Sequence, residues 1–375
     1  MELTASGASN AERSRSYRPD IDGLRGIAVL AVILNHTNEN VLPLGYLGVD
    51  IFFVISGYVI TRSLLRKQHL SPGQFLKEFY ARRLRRIMPA LLVCILITAL
   101  LISLFSPKAD DSLQTAMAAV LGLSNLQLME RSTDYFAAST KLNAFTHTWS
   151  LGVEEQFYLY YPLIFAMAFA ARTSRRLIIG ILSIVAGIAA ALLASKVMLH
   201  SWFALIPGGL FGLRNYLAYA MLACLIPLAS LGKSQPASPD GSKERGKLIA
   251  ILSLAAIGSF AYFITSYASN FAAAYYGMPA RFWELALGCL LMLLSAQRHS
   301  EGHGEAAGPW RIGQALALPL LLLTLLLPGH QGQWATALIV ALSGLILDTS
   351  RPGTVCHRVL ASPWLRRVGL ISYSL

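Results

Sequence analysis

The chain has 375 residues, 55% of them hydrophobic and 13% charged, and apolar runs of about twenty residues recur along it, which excludes a soluble globular domain. A net charge of +12 would suggest nucleic acid in a soluble protein; here it reads as an excess of Lys and Arg in cytoplasmic loops, and no nucleic-acid partner is expected. Cys94, Cys224 and Cys289 lie inside apolar runs and Cys356 in a basic loop, without pairing or metal-ligand spacing, so neither disulfides nor a metal site is expected.

Residues 1–17 are rich in Ser and Ala, with Arg13 and Arg15, and predict a disordered cytoplasmic N-terminus. They contain no apolar core followed by a small-residue cleavage site, so the first hydrophobic helix should itself be the targeting signal. The first span is predicted at about Ile21–Thr37 and the second at about Tyr46–Leu65, joined by a short loop through Pro43. Arg62–Arg86 is the most basic stretch, with Arg62, Arg66, Lys67, Lys77, Arg82, Arg83, Arg85 and Arg86 against a lone Glu78, and it belongs inside. A third span, Ile87–Ser106, leaves the cytoplasm. The clear span after it, about Val153–Ala171, ends in the basic RTSRR, so the short apolar stretch at 112–129 predicts a re-entrant or interfacial helix.

Further spans are predicted at about Leu177–Val197, Asn215–Leu231, Leu248–Tyr267, Phe282–Ala296, Ile312–Leu327 and Trp334–Leu347. The basic loops Lys233–Lys247, Arg298–Arg311 and Arg351–Arg367 alternate with neutral ones, giving an all-α bundle of about ten crossings with both ends inside. GLISYSL at the end reads as the start of an eleventh helix. Lys233–Lys247 has the composition of a solvated linker. No internal repeat is evident, which weakens a carrier built from inverted halves.

Ionisable groups within these runs are the functional candidates, because a charge in hydrocarbon is costly without a partner or a water-filled cavity. Arg25 and His36 are eleven positions apart, roughly 16 Å along a helix, and can look toward one side of it. A neutral imidazole at His36, buried in the outer half of the first span, suits removal of a proton from a hydroxyl. Asp50, near the outer start of the second span, could orient that imidazole, or simply favour its helix N-terminus. Arg25 could instead snorkel to the headgroups. The ARRLRRIMP stretch sets Arg82, Arg83, Arg85 and Arg86 together, dense enough to hold phosphates and also what cytoplasmic placement alone would produce. WSLGVEEQFYLYYP opens an outer-side helix at Trp149 with Glu154 and Glu155, whose side chains point about 100° apart, so one of the two can face the interior. Arg281 and Glu284, one turn apart, fit an internal ion pair, and Ser56 with Gly57 fits close helix packing more readily than a nucleophile.

These blocks together resemble a known family. DGLRG with Arg25, ten residues and His36, then GVDIFFVISGY, YARRLRRIMPA, HTWSLGVEEQFYLYYP, RFWELALG and RRVGLISYSL are similar, in that order, to acyltransferase family 3, the integral-membrane O-acyltransferases that decorate bacterial surface polysaccharides. The resemblance runs from about Tyr17 to Leu375. It implies a multi-pass protein of the bacterial inner membrane, with residues 18–375 forming the acyltransferase domain. It also implies transfer of an acyl group, usually acetyl, from cytoplasmic acyl-CoA as co-substrate, with no permanently bound cofactor, to a hydroxyl of a saccharide or lipid-linked saccharide. Arg25 and His36 take the positions of the family's Arg and catalytic His; Arg83 and Arg85 fit its Arg-x-Arg donor motif; Glu155, Arg281 and Glu284 fall at further motif positions. Members normally continue from SYSL into another helix, so by this resemblance the chain stops before its last one.

The expected chemistry has arginines holding the acyl-CoA phosphates, while His36 deprotonates the acceptor hydroxyl and a donor steadies the oxyanion. Covalent acyl transfer through the His stays open. The rivals are a transporter or flippase of a saccharide or small solute, and a membrane scaffold without chemistry.

Overall fold

In the computed structural model the described residues are 17–68, 70–106, 109–133, 143–169, 242–300 and 310–372. They are helical with no strand among them. Punctuation residues place several helix starts: Pro19, Pro72 and Pro363 each stand in the first turn, where a missing N–H costs nothing. Asn270 and Thr354 cap others by accepting hydrogen bonds from the backbone N–H of Ala273 and His357.

The helices in chain order are α1 (Pro19–Thr37), α2 (Gly48–Leu65), α3 (Pro72–Phe105), α4 (Asp110–Val120), α5 (Ser124–Thr133), α6 (Trp149–Phe169), α7 (Ser242–Ser269), α8 (Phe271–Tyr276), α9 (Met278–Ser300), α10 (Trp310–Leu325), α11 (Gly332–Thr349), α12 (Val355–Leu360) and α13 (Pro363–Ile371). Among the described residues five helical stretches are long and apolar enough to cross a membrane: Gly45–Leu65, Gly73–Phe105, Lys243–Ser269, Phe271–Arg298 and Gly332–Thr349. The described residues are those of a helical membrane protein. The predicted spans Leu177–Val197 and Asn215–Leu231, the N-terminus up to residue 16 and most of the Lys233–Lys247 linker lie outside the described residues.

Three boundaries differ from expectation. The third span, expected from Ile87, starts at Pro72 inside the basic stretch: α3 is one helix of 34 residues, about 50 Å long against a hydrocarbon core of about 30 Å. Its first turns carry Lys77–Arg86 and its later turns the exposed Leu92, Leu96, Leu100 and Leu104. The segment at 112–129 is two helices, broken where Gly122 adopts φ +69°, the left-handed conformation glycine tolerates. The basic loop Arg351–Arg367 contains α12 and most of α13.

Contacts group the chain into two units, Met1–Gly57 with Gly302–Leu375, and Tyr58–Glu301. In the first, α12 and α13 pack on α1 at backbone distance. A Cβ on Gly23 would lie 1.8 Å from the Leu360 carbonyl oxygen, and one on Gly26 2.4 Å from that of Leu365. Small residues permit such approach in membranes, and here they are the two glycines of DGLRG. Arg18 donates to the Leu347 carbonyl at 3.0 Å and the Leu44 amide to Leu325 at 3.1 Å, tying the N-terminal segment to α11 and α10. In the second unit α7 packs along α9, and α6 touches α3, α5, α7 and α9. Thr61 and Tyr161, both fully buried, share a 2.8 Å hydrogen bond.

Candidate active site

The chemistry-bearing residues of the first unit lie on α1 and the start of α2. Burial follows the stripe Leu24, Ala28, Ala31 and Asn35, spaced three to four apart as one helix face requires. Asn35 escaped sequence reading; its signal is its place at helical spacing after Ala28 and Ala31. Its Nδ2 donates to the carbonyls of Leu42 and Pro43 at 2.9 and 3.2 Å, closing the loop onto the helix. His36 lies one residue on, turned about 100° away, and its side chain is exposed, contrary to the buried ring expected.

The imidazole is nonetheless oriented. Its Nδ1 stands 2.8 Å from the Val32 carbonyl oxygen; a carbonyl can only accept, so Nδ1 is the donor in this contact and Nε2 is the ring nitrogen left for another partner. The orienting role expected of Asp50 is therefore filled by Val32. Asp50 itself is buried in the first turn of α2, and Ser56 is buried farther along that helix.

Arg25 does not snorkel. It is buried, with Nη1 3.5 Å from the Asp22 carboxylate one turn earlier, because α12 and α13 cover this end of α1 while its outer turns lie open. Ahead of the span, burial works against charge on Asp20, but the Arg18 guanidinium, 2.7 Å away, outweighs it and the carboxyl pKa falls below its ordinary value. Burial and a hydrogen bond to Asp22 push the Tyr17 hydroxyl up to about 12, so it remains a donor at neutral pH.

In the second unit the first turns of α3 face α6 across an open cleft lined by Tyr80, Arg83, Met88, Glu155 and Tyr158 among others. The four arginines separate by helical geometry. Arg82 pairs with Glu78 at 3.1 Å, and Lys67 pairs with the same carboxylate. Arg85 and Arg86 are exposed, and Arg83 alone of the four enters the cleft. Its Cζ lies 4.3 Å from the Tyr158 ring centre and 6.0 Å from that of Phe79. Neither Arg83, Arg85 nor Glu155 makes a hydrogen bond or ion pair with another side chain or backbone among the described residues. Glu155 is half-buried, its carboxylate set against Gly122, where a Cβ would lie 2.5 Å from Oε2. Glu154 instead accepts a hydrogen bond from the Tyr158 hydroxyl.

Trp149, Arg281 and Glu284 form a separate buried lock. Arg281 Nη1 meets Glu284 Oε1 at 3.0 Å with side chains 3% and 0% exposed, and Arg281 Nε donates to the Tyr275 carbonyl at 3.1 Å. Trp149, Phe263 and Tyr275 surround the guanidinium with ring centres 5.3–5.7 Å from Cζ. This joins the start of α6 to α7, α8 and α9. Among the described residues no cluster of His, Cys, Asp and Glu could hold a metal ion.

Comparison with known proteins bears on what this arrangement serves. Residues 18–304 match the family model described as an acyltransferase domain. The chain is 42% identical over 154 residues to O-acetyltransferase OatA of Staphylococcus aureus strain NCTC 8325, and 41% identical over 150 residues to peptidoglycan O-acetyltransferase OatA of Listeria monocytogenes strain EGD-e. Each alignment takes in 40% of this chain, and 25% and 24% of the two relatives, so the chain spans about a quarter of the length of these relatives. No solved structure matches it.

Proposed function

We propose that this chain, which belongs to acyltransferase family 3, is a membrane O-acetyltransferase that moves an acetyl group from cytoplasmic acyl-CoA to a hydroxyl of a surface or lipid-linked saccharide. The observation that carries the reading is the family match over residues 18–304, which takes in every candidate site residue. The names of the two relatives, one of them a peptidoglycan O-acetyltransferase, support acetyl as the group and a glycan hydroxyl as acceptor. The basic loops support an inner-membrane protein with a cytoplasmic N-terminus.

His36 acts as general base in this reading. Its Nε2 takes the proton of the acceptor hydroxyl; the alkoxide oxygen bonds to the thioester carbonyl carbon; the C–S bond breaks; and the imidazolium proton goes to the departing thiolate, giving acetyl ester and free CoA. The Val32 carbonyl holds the tautomer this requires. Arg83 and Arg85, with donors not taken by protein carboxylates, take the anionic end of the donor.

The test is transfer from radiolabelled acetyl-CoA to a saccharide acceptor by the purified full-length protein in liposomes. Wild type is expected to release CoA and acetylate the acceptor, and His36→Ala to lose at least a hundredfold, in line with removal of a general base, while eluting and melting as wild type does. Undiminished turnover in the folded variant overturns the assignment, and solute flux without CoA release would make the protein a carrier.

A further inference from the structure

Arg83 is the cation that the cleft presents, and what fixes its direction is a residue that neither composition nor spacing singled out. Tyr158 is buried, and its hydroxyl donates to Glu154 one turn earlier on α6, so the ring cannot swing away without breaking that bond. The guanidinium carbon of Arg83 lies 4.3 Å from the centre of this ring, while Phe79, one turn before Arg83 on α3, stands farther off at 6.0 Å. One residue from Tyr158, the Leu159 carbonyl accepts the Tyr80 hydroxyl at 2.8 Å, which holds α3 and α6 at the separation this stacking needs. A guanidinium resting on an aromatic face is attracted through its flat side. Its N–H donors then spread in the plane, open to a phosphate or carboxylate.

We propose that Tyr158 is a positioning residue for the transfer reaction: held by Glu154, it forms the platform that aims Arg83 at an anionic group of the acyl donor. The inference rests on the reading of Arg83 as a donor-binding residue. Stacking lets one arginine stand in the cleft without a carboxylate partner, since the ring's negative face offsets part of the cost of desolvating it. Tyr158 acts on the donor through Arg83, by fixing the direction of the guanidinium. Glu154, whose neighbour Glu155 lines the cleft, thereby has a role of its own as the anchor of the platform.

The experiment measures KM for acetyl-CoA and kcat in full-length protein in liposomes, with thermal unfolding in parallel. Tyr158→Leu is expected to raise KM roughly five- to thirty-fold with kcat nearly unchanged, and Tyr158→Phe, which keeps the ring but loses the Glu154 anchor, to raise it by a smaller factor, about two- to fivefold. Fluorinating a phenylalanine at position 158 leaves its shape nearly intact but drains its face of negative charge, so KM should climb with each fluorine added. That series decides the matter if Tyr158→Leu fails to fold. Arg83→Ala should raise KM at least as much as Tyr158→Leu, and combining the two should add little. If Arg83→Ala moves KM while neither Tyr158→Leu nor the fluorine series does, Tyr158 does not position it and the inference is overturned. If Arg83→Ala leaves KM unmoved, the donor-binding reading of Arg83 fails first and takes this inference with it.

Discussion

Gly369 offers a direct test of how α13 is seated on α1. A Cβ placed there would lie 1.7 Å from the carbonyl oxygen of Asp22 and 2.6 Å from its carbon, where ordinary contact begins at 3.4 Å. Backbone atoms cannot rotate aside, so in Gly369→Ala the two helices must separate by about the whole shortfall. That would strip contacts from Gly23 and Gly26, the other glycines of the seam. Overpacking of this kind costs typically about 1–3 kcal/mol, and a blocking carbonyl puts this case near the top of the range. Alanine recovers about 0.5–1 kcal/mol over glycine inside a helix, leaving a net loss of about 2 kcal/mol. Gly258→Ala supplies the control, because that glycine lies inside α7 with nothing within 4 Å of its added Cβ; the same change there should stabilise by about 0.5–1 kcal/mol. Thermal unfolding of the purified chain in detergent, followed by tryptophan fluorescence, reads both. Opposite shifts are expected, and a Gly369→Ala protein as stable as Gly258→Ala would show that α13 does not sit against Asp22.

Removing one member of the buried Arg281–Glu284 pair, as in Arg281→Met, should destabilise by about 3–5 kcal/mol because the other charge is left buried; adding Glu284→Leu should recover part of that loss, and a double variant as poor as the sum of the singles would refute the pairing. Acid should weaken the N-terminal end of α1 in a way traceable to Asp20. Its folded pKa lies below the ordinary 3.8, so the stability it contributes is complete above that value and lost as pH falls through the folded one. Melting temperatures taken below about pH 4 should therefore fall less steeply for Asp20→Asn than for wild type, and identical slopes would count against the Arg18 partnership.

The five described stretches long and apolar enough to cross hydrocarbon were legible because about twenty apolar residues are needed to do so. Their extensions were not. The expected start of the third span, Ile87, falls fifteen residues after the true helix start at Pro72, since Gln, Leu, Lys, Glu, Ala and Arg are good helix formers and nothing in Lys77–Arg86 ends a helix. Hydropathy marks where lipid begins, and the backbone continues past it. The same reasoning accounts for α12 and α13 in what read as a basic loop. Gly122, by contrast, lies inside a stretch whose composition predicts one apolar helix, and its left-handed turn is set by the seat it takes against Glu155 and by the hydrogen bond its carbonyl accepts from Gln156.

At the candidate site, periodicity could say that four arginines within five positions cannot share a face, but which one enters a cleft depends on the helix opposite, here on Tyr158. It could equally place Arg25 and His36 on one side of α1 without revealing that α12 and α13 cover that side at one end only. The charges then sort by partner. Arg82 with Glu78, Arg25 with Asp22 and Arg281 with Glu284 are matched within a single helix turn, which is how a membrane protein carries charge at tolerable cost. Arg83, Arg85 and Glu155 have no such match among the described residues, and His36 uses one ring nitrogen on its own helix while Nε2 stays open. Charges matched on their own helix stabilise the fold and leave little donor or acceptor capacity for a ligand. In each unit, then, some polar groups keep donor or acceptor capacity open to a ligand: His36 Nε2 in the first, and Arg83, Arg85 and Glu155 in the second.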